Sequence, residues 1–280
     1  MIVDILSDLH LDFYFPQEME ASIDAVKSIF DPIFFENQKR KIGDVLIIAG
    51  DIGHYNHQNI QILKILQAEY YQHIVSVLGN HDYYLINRIA EDNYDKDSFN
   101  RIKEMRSLIN AEENMHCLNG TVVTIDGVKF GGCDSSYNNA YLKAYFPLVN
   151  HPTYNNNLWK SSINDYANMG GVNQYNQIYK LELPKIEAVY KECDIMITHV
   201  NPSFLHDHMS QYYMNQKSNT FFCFNGHRYM QDGTMKYWVF GHTHDTLEYE
   251  HEGVKCICNP FGYPAESSHG KDTRIKSIEI

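Results

Sequence analysis

Five short segments of the sequence carry aspartate, asparagine and histidine side chains, the residue types that bind divalent metal ions. The segments are Asp8-Leu9-His10, Gly50-Asp51-Ile52-Gly53, Gly79-Asn80-His81-Asp82, Thr198-His199 and Gly241-His242-Thr243-His244. This mixture of oxygen and imidazole donors suits manganese, iron or zinc, and affinity order alone does not choose among them. Because a carboxylate can bridge two cations with its two oxygens, the glycine-flanked Asp51 is the natural shared ligand. The segments therefore predict a pair of divalent metal ions.

The spacing within two of the segments supports this prediction. Asp8 and His10 are two residues apart, and so are His242 and His244. Side chains two residues apart in extended backbone point to the same side, so each pair offers two ligands to one cleft. The histidines outside the five segments are interpreted as ordinary surface or core residues. These are His54, His57, His73, His116, His151, His206, His208, His227, His251 and His269.

Short apolar runs that are typical of β-strands must position the segments. Four segments directly follow such a run, and Asp8-Leu9-His10 ends one. The runs cover residues 2–7, 44–49, 73–78, 194–198 and 236–240. Ligands of open α/β sheets gather at the carboxyl ends of the strands. We therefore expect the five segments to meet at one end of the sheets.

Helical patterns separate the first three strands, which predicts a parallel sheet with right-handed crossovers. The helices are predicted over residues 17–41, with an interruption near Pro32, and over residues 57–72, 97–110 and 177–192. Asp126-Gly127 lies between two β-rich runs and predicts a hairpin, and the last part of the chain returns to β-structure. These further strands are predicted over residues 121–125, 128–132, 236–240, 246–250, 254–258 and 274–278.

Two stretches lack a clear strand pattern. Residues 135–175 predict a partly helical insertion over the site, and residues 204–233 a second, irregular one; residues 1–280 are predicted to form a single domain. Some side chains of these stretches are candidates for stacking on a base or touching a phosphate, but most are interpreted as packing onto the sheets. The aromatic candidates are Tyr137, Tyr141, Tyr145, Tyr212, Tyr213, Phe221, Phe222 and Phe224, and the cationic ones are Lys143, Lys160 and Arg228.

The composition restricts the partners and the compartment. The 280 residues carry a formal net charge of −12, and 44% of them are hydrophobic. An acidic surface argues against holding long nucleic acid by its phosphates, whereas a metal pair in the cleft would still attract a small phosphorylated substrate. No apolar stretch is long enough for a membrane span, and no secretion signal is recognisable. The six isolated cysteines are predicted to fill the core of a cytoplasmic protein.

The five segments together resemble the calcineurin-like metallophosphoesterases, and the resemblance runs from Asp8 to His244. It implies an α/β fold of two mixed sheets, packed as a sandwich and flanked by helices to give four layers. It implies that Asp8, His10, Asp51 and His244 hold one metal ion, and that Asp51, Asn80, His199 and His242 hold the other. It also implies catalytic roles for His81, near the leaving group, and for Asp82, which would orient His81.

The end of the chain is similar to a subgroup of small bacterial and phage phosphoesterases. The segments Cys258-Asn259-Pro260-Phe261-Gly262-Tyr263-Pro264 and Asn164-Asp165-Tyr166 fit that subgroup. After Gly131-Gly132 the subgroup pattern continues with Thr-Leu-Trp, whereas this chain has Cys133-Asp134-Ser135. The substrate contact associated with that position is therefore not carried over.

The expected activity is hydrolysis of a phosphoester by attack of a hydroxide that bridges the two metal ions. The leading hypothesis is a phosphodiesterase that acts on a small or cyclic nucleotide. The alternative is a phosphomonoesterase or a protein phosphatase. The few arginines and the acidic balance disfavour a processive nuclease. A nuclease subunit is disfavoured because it would call for an added DNA-binding or coiled-coil segment, which the sequence does not show. A non-catalytic binding module is disfavoured because every residue of the metal pattern is retained. The pattern contains no information on oligomeric state.

Overall fold

The computed structural model describes residues 1–15, 21–35, 42–266 and 275–280. Within these ranges the chain forms eleven strands and ten α-helices, with short 3-10 turns between some of them. The strands are β1 (Ile2–Leu6), β2 (Val45–Ala49), β3 (His73–Val77), β4 (Met115–Cys117), β5 (Thr121–Ile125), β6 (Val128–Gly132), β7 (Ile195–Ile197), β8 (Tyr237–Phe240), β9 (Leu247–His251), β10 (Val254–Cys258) and β11 (Lys276–Glu279). The helices are α1 (Ile23–Phe35), α2 (Asn56–Tyr70), α3 (Asn80–Tyr83), α4 (Arg88–Asn93), α5 (Ser98–Asn110), α6 (Ala140–Tyr145), α7 (Pro152–Ser162), α8 (Asp165–Asn168), α9 (Gln177–Val189) and α10 (His227–Asp232).

One sheet has five strands in the order β11-β1-β2-β3-β4. Strands β1 to β4 run parallel to one another, and β11 is antiparallel to β1. Parallel neighbours need a long crossover, which α1, α2 and α5 provide. The order brings the carboxyl ends of β1, β2 and β3 side by side, as expected from the sequence.

The second sheet has six strands in the order β5-β6-β7-β8-β10-β9. Strands β6, β7, β8 and β10 are parallel, whereas the edge strands β5 and β9 are antiparallel to their neighbours. The predicted hairpin between β5 and β6 is confirmed, with positive φ values at Asp126 (47°) and Gly127 (87°). Positive φ at both central residues is the requirement of a type I′ turn.

The two sheets pack against each other, and both faces of each sheet are covered. In β2, Val45, Ile47 and Ala49 join the core between the sheets, while Leu46 and Ile48 join the core beneath the helices. This alternation follows from the two-residue period of a strand. Helices α1, α2 and α5 cover the first sheet, and α9 covers the second. The four layers confirm the predicted fold class.

Helix α1 continues through Pro32, so the predicted interruption is wrong. Proline removes one backbone hydrogen bond, but Phe30 and Phe34 are fully buried on either side of it and hold the helix in place. Residues 21–22 precede the helix, and residues 17–20 and 36–41 of the predicted helix lie outside the described residues. Strand β4 is too short to show an alternation, which is why the sequence does not predict it.

The insertion at residues 135–175 contains α6, α7 and α8, which confirms that it is partly helical. The stretch at residues 204–233 consists of three 3-10 turns and α10. All six cysteines are buried free thiols, as predicted for core residues. Among the helices of the described ranges, none combines the length and the apolar character needed to cross a membrane.

Candidate metal centre

The predicted ligands lie at the carboxyl ends of five strands from both sheets. Asp8 and His10 follow β1, Asp51 follows β2, and Asn80 begins α3 just after β3. The second sheet contributes one histidine after β7 and two after β8, namely His199, His242 and His244. The two sheets are joined at this end, because the Ser7 amide donates to the Asn259 carbonyl at 3.1 Å. The strands thus bring together residues that are up to 236 positions apart in sequence, from Asp8 to His244.

Five of the seven predicted ligands adopt a left-handed backbone conformation, which residues other than glycine seldom use; the extended backbone assumed from the two-residue spacing of Asp8 with His10 and of His242 with His244 is therefore wrong. The φ angle is 52° at Asp8, 44° at His10, 54° at Asp51, 71° at His242 and 53° at His244. Strained residues of this kind cost about 1–3 kcal/mol each and cluster at functional sites. Hydrogen bonds between neighbouring chain segments hold them in place: the Asp8 amide donates to the Gly50 carbonyl at 3.0 Å, and the His10 amide to the Asp51 carbonyl at 3.0 Å.

The first group of potential ligands comprises Asp8, His10, Asp51 and His244. Each offers one ligand atom, and these atoms all lie within 4.8 Å of one another. His10 Nε2 is 2.9 Å from His244 Nε2, and His244 Nε2 is 3.7 Å from Asp8 Oδ1. Glu266 engages His244 Nδ1 at 2.9 Å, which leaves Nε2 directed into the group. Two imidazole nitrogens that face each other beside carboxylate oxygens fit a divalent cation.

The second group comprises Asp51, His199 and His242, again with ligand atoms within 4.8 Å of one another. Asn80 Oδ1 extends this group, at 3.0 Å from His199 Nε2. His199 Nδ1 is 2.8 Å from the Ala49 carbonyl, so Nε2 faces the cleft and lies 3.4 Å from Asp51 Oδ2. Asp51 belongs to both groups, which is the position that a bridging carboxylate needs.

Backbone amides fix the carboxylates of both groups. The His242 amide donates to Asp8 Oδ1 at 2.9 Å, and the His81 amide donates to Asp51 Oδ1 at 2.8 Å. The packing around Asp51 is so close that a Cβ at Gly79 would lie 2.2 Å from Asp51 Oδ1. Position 79 therefore requires glycine because any side chain would clash with Asp51, and not because of its backbone conformation.

The electrostatics of the histidines differ between the two groups. Burial holds the pKa of His10 well below its ordinary value, although Asp51 opposes this effect. Burial, together with the neighbouring His199, also lowers the pKa of His242. Burial alone would lower the pKa of His199 as well, but the Asp51 carboxylate outweighs it and raises that pKa to about 10. Binding of a cation at His199 is therefore expected to displace a proton.

The His81 ring lies beside the two groups of potential ligands, and its contacts differ from those that the family resemblance implies. Its Nδ1 is 3.0 Å from His54 Nε2, and its Nε2 is 3.3 Å from the Tyr263 hydroxyl. His54 Nδ1 pairs in turn with Asp12 Oδ2 at 2.7 Å. The row Asp12–His54–His81 therefore holds the His81 imidazole at the cleft.

The Asp82 carboxylate is directed at backbone amides instead of the His81 ring. It accepts hydrogen bonds from the amides of Ile52 at 3.1 Å, Gly53 at 3.2 Å and Gly79 at 2.8 Å. Burial, followed by the charge of Asp51, raises the pKa of Asp82 to about 6. The expectation that Asp82 orients His81 is thus corrected: Asp82 ties the loop after β2 to the start of α3, and His54 contacts the His81 ring.

His54 and Asp12 are functional candidates that the sequence interpretation missed. In the sequence, His54 is interpreted as an ordinary histidine, and Asp12 stands in no metal-binding motif. A signal is nevertheless present, because His54 lies three residues after Asp51, and Asp12 lies two residues after His10. Asp12 and His54 therefore lie just after the first and the second of the five predicted metal-binding segments.

A cavity of about 270 Å³ opens above the two groups. Its floor includes Asp51, His81 and His244, and its walls include residues 162–165 of the first insertion. Tyr213 and Phe222 of the second stretch also line it, and their rings stack with centroids 5.7 Å apart. The remaining lining residues are Asn80, Tyr84, His242, Thr243, Tyr263 and Glu266.

Most of the other rim candidates pack the insertions, as the sequence interpretation favoured. Tyr141 joins a small buried cluster with Met209 and Cys223. Phe221 and Phe224 are fully buried. Among the cationic candidates, Lys160 lies over the Tyr166 ring at 4.6 Å, and Arg228 pairs with Glu187.

Comparison with known proteins adds three findings. The family described as calcineurin-like phosphoesterase matches residues 1–246. An uncharacterized protein of Acanthamoeba polyphaga mimivirus is 24% identical over 282 residues, which cover 96% of this chain and 93% of that protein. The crystal structure of a phosphopantetheinyl hydrolase from Mycobacterium tuberculosis has a similar fold, with a TM-score of 0.65, 15% identity, and coverage of 99% of this chain and 95% of that chain.

Proposed function

Because this chain belongs to the calcineurin-like phosphoesterase family of metal-dependent hydrolases, we propose that it hydrolyses a small phosphodiester, with a nucleotide or cyclic nucleotide as the substrate. The observation that carries the choice of a diester is the charge of the cavity. Its described lining includes three carboxylates, from Asp51, Asp165 and Glu266, and neither lysine nor arginine occurs among the described lining residues.

The proposed ligands are those of the two groups described above. Asp8, His10, Asp51 and His244 would hold one divalent ion, and Asp51, Asn80, His199 and His242 the other. The convergence of buried carboxylate oxygens and imidazole nitrogens supports this assignment. Divalent ions bound there would neutralise the charge of the phosphoryl group and lower the pKa of a bound water molecule.

The charge of the substrate distinguishes diesters from monoesters. A phosphodiester carries one negative charge, whereas a phosphomonoester approaches two near neutral pH. A site that favours dianions or polyphosphates would be expected to add cationic side chains beside the metal ions, because charge-assisted contacts from arginine or lysine are the usual means of holding extra phosphate charge. The negative charges of Asp165 and Glu266 beside the cavity, without a lysine or arginine among the described lining residues, therefore favour the substrate with the smaller charge.

The size and shape of the cavity support a small organic substrate. Its volume of about 270 Å³ lies just below the range of roughly 300–1,000 Å³ that is typical of small-molecule sites. The stacked pair Tyr213–Phe222 provides an aromatic surface at the rim. A nucleobase has a flat π-system that stacks on such a surface.

His81 is the proposed proton donor to the leaving oxygen. Burial lowers the pKa of its ring to about 4, although Asp51 opposes this effect, so the negative charge of a bound phosphoester would have to stabilise the protonated form that donates. Its Nδ1 is engaged by His54, so Nε2 is the nitrogen that faces the cavity beside the Tyr263 hydroxyl. We assign His54 and Asp12 as positioning residues, because they act on the substrate only through His81. Asp82 holds the surrounding loop and has no direct role in proton transfer.

The test is turnover by metal-stripped protein after addition of Mn²⁺, Fe²⁺, Zn²⁺ or Mg²⁺. A nitrophenyl phosphodiester is compared with the matching monoester, and then with 2′,3′-cyclic, 3′,5′-cyclic and linear dinucleotides. A phosphopantetheinyl ester is included because of the hydrolase whose fold is similar. We expect metal-restored turnover that is faster with diesters and that is abolished by Asp51→Asn. Faster turnover of the monoester would overturn the diester proposal, and failure of the wild-type protein to bind metal would overturn the metal centre.

A further inference from the structure

We propose that Asp165, at the start of α8 in the first insertion, positions a metal ligand: it fixes the Asn80 side-chain amide so that Oδ1, rather than Nδ2, faces the second metal position. This inference rests on the metal centre proposed above and extends it. The insertion at residues 135–175 would then be part of the metal centre as well as part of its rim.

Asp165 is a buried carboxylate held by neutral donors. Only 1% of its surface is exposed. It accepts hydrogen bonds from Asn80 Nδ2 at 3.0 Å, from the Tyr84 hydroxyl at 2.5 Å and from the Tyr137 hydroxyl at 2.5 Å. The Trp159 indole donates in turn to the Tyr137 hydroxyl at 2.7 Å. Burying a charge is unfavourable unless it is hydrogen-bonded, and these three donors meet that requirement while they fix the position of the carboxylate.

The Asn80 amide is the group that the fixed carboxylate orients. A primary amide has one acceptor oxygen and two N–H donors. Nδ2 of Asn80 faces two acceptors, namely the Asp165 carboxylate and the Tyr84 hydroxyl, each at 3.0 Å. Oδ1 then lies 3.0 Å from His199 Nε2, inside the second group. A flipped amide would set Oδ1 against the Asp165 carboxylate and direct N–H groups at the metal position, where they cannot coordinate a cation.

The main chain fixes Asp165 firmly enough to act in this way. The Leu85 amide donates to the Asn168 carbonyl at 2.8 Å, and the Ser98 amide donates to the Gly170 carbonyl at 3.1 Å. A Cβ at Gly170 would lie 2.2 Å from the Lys96 carbonyl oxygen. The end of the insertion is therefore closely packed against the loops that flank α3 and α5, and its carboxylate has a defined position relative to Asn80.

The experiment measures metal binding, so that it does not depend on catalysis. Metal-stripped wild-type protein and variants are titrated with Mn²⁺ by calorimetry, and electron paramagnetic resonance distinguishes a spin-coupled pair from a single ion. We expect Asp165→Asn to retain the site of His10 and His244 and to weaken the second site about 10–100-fold, the usual effect of losing a residue that orients a ligand. Tyr166→Phe, on the same short helix with a half-exposed ring, is the matched control and should bind two ions as the wild type does.

A double variant tests the orienting role itself. When Asn80→Asp is combined with Asp165→Asn, the carboxylate at position 80 has two oxygens and needs no fixed orientation, while the amide introduced at position 165 can donate to it. We expect this exchange to recover most of the second-site affinity that Asp165→Asn loses. Unchanged binding in Asp165→Asn would overturn the proposal, and so would loss of both sites or absence of recovery in the double variant. If the wild-type protein bound no Mn²⁺, the proposed metal centre would fail instead, so the two failures are distinguishable.

Discussion

Replacement of His54 tests whether the row Asp12–His54–His81 controls proton donation. His54→Phe keeps a ring of similar size but removes the contacts to His81 at 3.0 Å and to Asp12 at 2.7 Å. A lost hydrogen bond is worth about 0.5–1.5 kcal/mol, and about 1.36 kcal/mol corresponds to a tenfold change in rate. We therefore expect kcat to fall about tenfold for a diester whose leaving group is an alkoxide. For a nitrophenolate leaving group, which departs without a proton, the fall should be less than about twofold.

The assay compares kcat and KM for the two diesters with fully metal-loaded protein. His81→Ala is the reference and should lower kcat for the alkyl diester by about 10²–10⁴, the usual contribution of a general acid. The double variant His54→Phe, His81→Ala should be no slower than His81→Ala, because His54 acts only through His81. The matched control is His57→Phe, at an exposed histidine in the first turn of α2, which should leave both reactions unchanged.

Two results would refute this reasoning. An equal loss with both leaving groups would mean that His54 supports the site as a whole instead of proton donation. An additive loss in the double variant would mean that His54 acts independently of His81. Metal content measured on each variant separates either result from loss of the metal ions.

Three further predictions concern the supports of the site and the stability of the fold. Gly79→Ala should greatly weaken metal binding without changing the fold, because the added Cβ would lie 2.2 Å from Asp51 Oδ1. Metal content and circular dichroism measure the two effects. Normal metal binding would contradict the prediction and show that the loop can shift. Asp82→Asn should lower the free energy of unfolding by about 2 kcal/mol, since an amide cannot accept hydrogen bonds from all three backbone amides that the carboxylate binds; urea denaturation measures it, with Asp92→Asn on the exposed face of α4 as control. Burial, with the nearby His251 and His208, lowers the pKa of His227 to about 4, so the unfolded chain binds an extra proton between about pH 6.5 and 4 and stability falls as pH falls through that window. Because the ring is partly exposed, the effect is reduced to about 1 kcal/mol. His227→Gln should flatten the dependence of urea midpoints on pH, and an unchanged slope would contradict this prediction.

The parts of the fold that follow from local patterns were predictable. The β2 run of Val45, Ile47 and Ala49 alternating with Leu46 and Ile48 is buried on both faces, which is the pattern of a central parallel strand. Since each metal-pattern segment ends such a strand, the topology alone brings the segments together. The assignment of individual side chains as ligands remains a prediction until metal binding is measured.

The supports of the site were not predictable, because they depend on contacts between distant parts of the chain. Asp165 reaches Asn80 across 85 positions, and Asp82 binds the amide of Ile52 across 30. A side chain that binds a backbone amide elsewhere leaves no periodic signal in its own segment. Asp82 illustrates the difficulty: proximity to His81 in sequence suggests a contact with its ring, whereas the turn at Gly79 directs the carboxylate to backbone amides instead.

The candidate metal centre depends on the packing of the two sheets more than on any one element. Asp51 and Asn80 come from the first sheet, while His199 and His242 come from the second, so neither sheet alone can assemble the second group. The sheets are held at this end by backbone contacts such as Ser7 to Asn259, and between them by an apolar core. A large side chain changed to a small one in that core would therefore shift ligands relative to each other as well as lower stability. This dependence on sheet packing also explains why the predicted ligands lie directly at the strand ends, in strained backbone conformations. A short connection to the rigid sheet leaves little freedom in the distance between ligands from the two sheets.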